Sequence, residues 1–430
     1  SIALAAVAVG AWALTILIVH RSVASAFRNL ALRLAAVALA VIAGSAVLDV
    51  VWHEYFGRDS VLWSPPHLLG VIGSLVLVVG FAISRGEVGR SRLNGVLLGV
   101  VLVSAAMLPV MEYDSRVPQF SELLYLPIVV VAALFAAWVV DGTMSGTRIM
   151  TLVVLGVILE RAVIWGVLTW WNWPAVDVPL ALLGLVVLDL PRVRAGTKRA
   201  LATIALTLIQ LAASVTGLSS VAAESVLPSA VVLLVVAIGW LLIAHRSGRT
   251  FVAAGVIMLV ATSVGVDAAP AFAHDPGQGT DRGEISMTVE RRGSQVLVTV
   301  EPVTSSAPIR LERIVARRAG EIITATHQLP GDEPGVVRGS LNLADDDALW
   351  FIYAEFSSSI GPLESWITVE PDGVRADVRP LYQPPVSPIN DVEFIAASTL
   401  VYVLAAAILV VAVRAVRRSR RERCAVRSPQ

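Results

Sequence analysis

Asp49, His53 and His67 are the residues of this chain whose types and spacing could do chemistry. They stand in the stretch Asp49-Val-Val-Trp52-His53-Glu54-Tyr-Phe-Gly-Arg58-Asp59-Ser-Val-Leu-Trp63-Ser-Pro65-Pro66-His67. This stretch joins the end of one apolar segment to the start of the next. The chain has six histidines, and two of them fall here beside three carboxylates. Asp49 and His53 are spaced so that on a helix they share one face. His67 opens the following segment, at the same membrane surface. Imidazole with carboxylate suits a borderline transition metal such as copper or zinc. An ionisable cluster at the mouth of a helix bundle is a functional-site candidate by default. The bland alternative is a set of interfacial residues bonding headgroups, water and helix ends. Trp52, Tyr55 and Trp63 fit an aromatic belt and favour that alternative.

The elements that must position these residues are apolar spans. The chain has 430 residues, 56% hydrophobic and 15% charged, with mean hydropathy +0.76. That composition marks a polytopic membrane protein rather than a soluble enzyme. Eleven apolar segments are expected: about 1–19, 31–52, 67–84, 93–111, 122–140, 148–171, 176–190, 200–219, 228–244, 250–267 and 392–413. Each lies near the ~20 residues needed to cross ~30 Å of hydrocarbon. The first residue is Ser1 rather than Met, so a short leader or extension before it is expected.

Basic residues set the orientation. Arg21, Arg28 and Arg33 lie between the first two segments, and Arg85, Arg90 and Arg92 between the third and fourth. Arg192, Arg194, Lys198 and Arg199 lie between the seventh and eighth, and His245, Arg246 and Arg249 between the ninth and tenth. The tail carries Arg414, Arg417, Arg418, Arg420, Arg421 and Arg423. All fall on one side if all eleven segments cross. The expected protein is therefore a multi-pass protein of the plasma membrane. Its N-terminus and the 53–66 and 112–121 loops face outward, and its C-terminal tail is cytoplasmic.

The chain divides into 1–245, a nine-span bundle; 246–273, a span resembling a signal peptide; 274–388, an extracytoplasmic domain; and 389–430, a last span with a basic tail. Residues 274–390 alternate apolar and polar residues, with breaks at Gly, Pro and Asp. The runs are Ile285–Val289, Gln295–Val300, Ile309–Val315, Glu321–His327, Val336–Leu343, Leu349–Phe356, Glu364–Val369 and Val374–Leu381. They predict an antiparallel β-sandwich of seven or eight strands. With 17 acidic against 10 basic residues, the domain is mildly acidic. Pro380 to Pro388 is a stiff linker into the last span. Before the domain, His245 to Arg249 reads as a basic n-region, Phe251 to Val264 as an apolar core and Ala271-Phe272-Ala273 as a cleavage pattern. Retention as an uncleaved span is the preferred expectation. Cleavage would give His274 an α-amine beside its imidazole, and so a second metal-competent group.

The pattern Asp-x-x-x-Trp-His, then Arg-Asp, an aromatic, and Ser/Thr-Pro-x-His resembles the membrane metal site of the C subunit of copper membrane monooxygenases, the particulate methane and ammonia monooxygenase family. The matching residues are Asp49, Trp52, His53, Arg58, Asp59, Trp63, Pro65 and His67. The interval between the two histidines is one residue longer than in that family. A weaker echo follows in Leu108-Pro109, Glu112 and Glu122-Leu-Leu-Tyr125-Leu-Pro127. The resemblance covers about residues 30–140 and implies that Asp49, His53 and His67 are copper ligands. It departs from the family in the second ligand group, an Asn-Glu-x-x-x-His patch, because residues 112–115 offer Glu112, Asp114 and Ser115 without histidine. The outer domain is similar, by architecture alone, to the cupredoxin-like B subunit, without a blue-copper ligand set.

Three function classes follow: a subunit of an oxygen-dependent oxidoreductase acting on a small substrate, a copper transport or resistance protein, and a structural or assembly subunit without metal. Weaker ligand candidates are Glu54, Glu112, Asp114 and His274. The expected partners are the lipid bilayer, other membrane subunits and a small-molecule substrate. The sole cysteine, Cys424, excludes intrachain disulfides and thiolate clusters, and nothing points to nucleic acid. Glu160 and Arg161, in mid-segment, must face the bundle and meet other helices, since each would cost on the order of 2.5–3.5 kcal/mol at a lipid-facing helix centre. Gln210 is expected to hydrogen-bond between helices. Asp345-Asp346-Asp347 reads as a turn, and His20, His245 and His327 as interfacial or surface residues.

Overall fold

Long runs of Leu, Val, Ile and Ala have no partner for their backbone in lipid except their own helix, and the apolar segments fold accordingly. In the computed structural model the described residues are 28–56, 62–88, 91–114, 122–144, 146–171, 175–243, 280–305, 308–318, 321–325, 328–330, 336–343, 350–383 and 391–427. The helices are α1 (Leu30–Phe56), α2 (Pro65–Val88), α3 (Arg92–Ala106), the single turn α4 (Met111–Asp114), α5 (Tyr125–Thr143), α6 (Ile149–Trp170), α7 (Ala195–Val215), α8 (Ala223–Ile243) and α9 (Asp391–Arg427). Among the described residues, seven helices are long and apolar enough to cross a membrane, and α3 and a helix at Leu180–Asp189 are shorter apolar ones. The expected segments 1–19 and 250–267, the cleavage pattern, His20, His245, His274, His327 and Asp345 to Asp347 lie outside the described residues.

Two expected spans differ from full α-helices. Residues 176–190 begin as extended chain, and Leu180–Asp189 then runs as a 3-10 helix. At ~2.0 Å per residue it reaches about 20 Å, less than the hydrocarbon thickness. It lies so close to α7 that a Cβ at Gly184 would meet the Leu206 backbone nitrogen. Its last residue, Asp189, accepts from Thr151 N at 2.7 Å and from Thr151 Oγ1 at 2.7 Å. A distant carboxylate thus supplies the cap that α6 lacks locally, its own cap residue being Arg148 in the left-handed region. The segment expected over 93–111 ends its α-helix at Ala106. Pro109 has no N–H to continue the ladder, and a 3-10 turn spans Leu108–Val110.

Close approach of α1 and α2 positions the candidate site. A Cβ at Gly80 would sit 3.3 Å from Ala31 O, and one at Gly73 would lie 2.9 Å from the Ile42 side chain. The absent side chains let the two helices pack backbone to backbone, as small residues do at helix contacts in membranes. The loop between them is short, so the end of α1 and the start of α2 meet.

Among the described residues of 280–383, nine strands form one antiparallel sheet in the order β4-β3-β7-β8-β9-β1-β2-β6-β5. The strands are β1 (Thr280–Arg292), β2 (Gln295–Ser305), β3 (Ile309–Arg318), β4 (Glu321–Ala325), β5 (Gln328–Pro330), β6 (Val337–Asn342), β7 (Trp350–Ser358), β8 (Gly361–Val369) and β9 (Val374–Gln383). All eight expected runs are strands, and β5 is a short edge strand added beside β6. The sheet curls until β4 comes against β6, giving a nearly closed barrel around Ile285, Met287, Val298, Trp350, Ile352 and Ile367.

Candidate metal centre

Asp49 lies in the last two turns of α1, and His67 in the first turn of α2, three residues after the loop. His67 Nε2 stands 3.0 Å from Asp49 Oδ1, with both side chains about a quarter to a third exposed. His53 and Glu54 follow Asp49 on α1, His53 one turn further along the same face. Their side chains lie outside the described residues. Among the described residues, no three His, Cys, Asp or Glu side chains gather closely enough to hold a metal. Asp49 and His67 are thus brought together, and the third member is placed by its helix position alone. Arg58 and Asp59 lie outside the described residues.

Two tryptophans fix the surroundings. Trp63, in the loop before α2, donates from Nε1 to Pro109 O at 2.7 Å, and its own carbonyl accepts from Tyr402 Oη at 2.7 Å. Trp52, buried late in α1, meets Phe394 of α9 with ring centroids 5.7 Å apart. The start of α2 is therefore held both by the turn after α3 and by α9, the helix that follows the β-domain. The sequence carried no sign of this role for Phe394 and Tyr402, because the contacts join residues more than 300 positions apart.

Asp114 serves a different purpose from a free ligand. It ends α4 and is only 3% exposed. Its Oδ1 accepts from Tyr125 Oη at 2.9 Å, and its backbone carbonyl accepts from Asp177 N at 2.8 Å. Asp177 Oδ2 accepts from Ser220 N at 2.6 Å, and Ser220 Oγ donates to Tyr113 O at 3.0 Å. Burial pushes the Asp114 carboxyl up to about 7, against the hydrogen bond from Tyr125 that lowers it; the Asp177 charge raises it further, and Arg161 lowers it. Asp177 was not singled out in the sequence. A lone acid between two prolines, just before an apolar run, was the available signal. The side chain of Glu112 lies outside the described residues, although its backbone belongs to α4.

The mid-segment charges face the bundle as expected. Glu160 accepts from Ser104 Oγ of α3 at 2.6 Å. Arg161 is 9% exposed and lies within electrostatic reach of Asp114. Gln210 departs from expectation: it donates to Ser214 Oγ on its own helix and to Ser219 Oγ in the following loop, at 3.3 and 3.0 Å.

No protein-family model, curated protein or solved structure matches the chain.

Proposed function

We propose that this protein binds copper at the Asp49 end of its helices, through Asp49, His53 and His67, and acts as a copper-binding membrane subunit of the kind that the monooxygenase resemblance implies. The observation that carries this reading is the 3.0 Å approach of His67 Nε2 to Asp49 Oδ1. Two ligand atoms each ~2.0–2.1 Å from one metal stand about 2.9 Å apart at a right angle and about 3.4 Å apart at a tetrahedral angle. The separation falls between these values, so the pair fits one ion without moving either helix. His53, one turn along α1, is the third ligand. Bound copper would supply one-electron and oxygen chemistry at this end of the protein. The chain's own part is to hold the donor atoms. Trp63 anchors the start of α2, Trp52 anchors α1, and the glycine-lined contact holds the two helices together.

A direct Asp49–His67 contact that pins α1 to α2, without metal, is the reading that the same approach favours next. Elemental analysis of purified, copper-reconstituted protein divides the two. We expect near-stoichiometric copper in the wild type, with zinc as the other metal to be assayed. We expect its loss in His53→Ala and His67→Ala, because removing one of three ligands breaks the set. Equal metal content in the wild type and both variants overturns the copper reading. The family's second ligand patch is unmatched, and Asp114 is engaged by Tyr125. Oxygen activation by this chain alone is therefore not part of the proposal.

A further inference from the structure

Where α1, α2 and α9 meet, two buried hydroxyls are left without hydrogen bonds. Ser398, on α9, is 9% exposed, and Ser64, just before α2, is 6% exposed. Neither Oγ has a hydrogen-bond partner among the described residues, so the two do not bond to each other. The neighbouring Thr399 shows the usual solution within a helix: its Oγ1 donates to Ile395 O at 2.7 Å. Ser398 does not use the equivalent carbonyl. Ser64 precedes Pro65 and Pro66, which carry no N–H for it to cap. A buried hydroxyl without a partner is costly, and such groups in folded proteins ordinarily meet a partner.

The position of Ser398 follows from its neighbours on α9. Phe394, Ser398 and Tyr402 are spaced four apart and share one side of the helix. Phe394 packs on Trp52 of α1, and Tyr402 Oη donates to Trp63 O just before α2. Ser398, one turn from each, therefore faces the junction between the end of α1 and the start of α2. Its level along the helix agrees. α1 closes at Phe56 and α9 opens at Asp391, so the two run in opposite senses past the contact of Trp52 with Phe394. From that contact, at ~1.5 Å per residue, Asp49 lies about 4.5 Å back along α1 and Ser398 about 6 Å forward along α9. Both steps lead the same way, and they bring Ser398 level with Asp49, which His67 Nε2 meets at 3.0 Å.

We infer that the Ser398 hydroxyl is a further oxygen donor to the metal held by Asp49, His53 and His67. This rests on the copper reading and extends it to a third helix. Imidazole, carboxylate and hydroxyl make the mixed nitrogen and oxygen set that copper(II) takes. Metal binding then ties α9, the helix that follows the β-domain, to α1 and α2.

The test uses the full-length protein in detergent and reads metal binding rather than activity. Ser398→Cys, in a Cys424→Ser background, replaces the hydroxyl by a thiol of nearly the same shape. Loaded with cobalt(II), this variant is expected to show a thiolate-to-metal charge-transfer band that the wild type lacks, because a thiolate at bonding distance is a ligand. Ser84→Cys places a thiol at a buried serine farther along α2 and is expected to show no such band. Ser398→Ala is expected to lower copper affinity about tenfold in equilibrium titration, the low end of the effect of losing a partner around a metal. The same variant is expected to raise the Tm of the metal-free protein, since it removes an unsatisfied buried hydroxyl. A hydroxyl with a structural role alone would change Tm and leave the affinity as it was. Metal uptake by the wild type, with no thiolate band in Ser398→Cys and unchanged copper affinity in Ser398→Ala, overturns this inference and leaves the copper reading standing. A wild type that takes up no metal overturns both.

Discussion

At the Asp49 end of the helices, polar side chains find partners on other elements: His67 with Asp49, Trp63 with Pro109 and Tyr402, Asp114 with Tyr125, and Ser220 with Asp177 and Tyr113. At the other end, Arg420 reaches Trp138 O and Asp141, while Arg194, Arg417, Arg418 and Arg421 are exposed. The contrast has a physical source. The Asp49 end is closed by loops and turns, whose backbone carbonyls and short polar side chains offer dense hydrogen bonding. The arginine end is formed by helix ends at a membrane surface, where long basic side chains can reach water and headgroups and need few protein partners. One end pairs polar side chains across elements and buries an acid, and the other leaves most of its cations exposed.

The comparison breaks outright if the two ends do not lie on opposite sides of the membrane. Cys424, in the tail of α9, must then resist an impermeant thiol reagent in intact cells and react once the membrane is opened. Ready labelling without permeabilisation would refute this. The next largest effect concerns the metal end. Asp49→Ala is expected to lower copper affinity by more than the ~10–100-fold typical of outer-shell partners, while Arg420→Gln leaves it unchanged. Equilibrium copper titration of both variants checks this, and equal losses would erase the distinction between the ends.

A smaller effect follows from Asp114. Its carboxyl is raised to about 7 in the fold, above the ordinary carboxylate value of ~3.9 in an unfolded chain. The folded state therefore binds the proton more tightly, and the stability this contributes is fully present below the unfolded value. It is lost as pH rises through about 7. Thermal unfolding in detergent should give a higher Tm at pH 5 than at pH 8.5, and Asp114→Asn should shrink that difference. An unchanged difference would mean that other groups carry the pH dependence. Tyr402→Phe deletes the hydroxyl on Trp63 O and is expected to cost about 1 kcal/mol of stability, read by chemical denaturation. The smallest effect is Asp141→Asn, under about 1 kcal/mol because the Asp141 side chain is largely exposed and screened. A larger loss there would show the arginine end to be as tightly built as the other.

Much of the architecture was legible in the residues. The apolar runs marked the helices because a span in lipid must satisfy its own backbone over a fixed length. The period-two runs marked the strands because alternate residues face one core. The bundle-facing placement of Glu160 and Arg161 followed from the cost of charge in lipid. The short 3-10 span was not legible, since its composition, Leu-Ala-Leu-Leu-Gly-Leu-Val-Val-Leu, is that of an ordinary apolar helix. Its close approach to α7 at Gly184 is a long-range contact that composition does not show. The sandwich expectation identified antiparallel strands but could not foresee a single curled sheet, because strand order depends on long-range pairing.

By itself the sequence determined which residues could do chemistry: two histidines and an aspartate at one membrane surface, and clustered arginines at the other. Residue type and chain position suffice for that, because helical spacing and the basic-residue asymmetry are local properties. Tertiary structure decided which of these residues meet. It set His67 against Asp49, turned Asp114 inward onto Tyr125, brought Tyr402 to Trp63 from the far end of the chain and placed Arg420 against Trp138 and Asp141. Those contacts depend on how closely helices can pack, and a glycine facing a backbone carbonyl decides that only once the partner helix is in place.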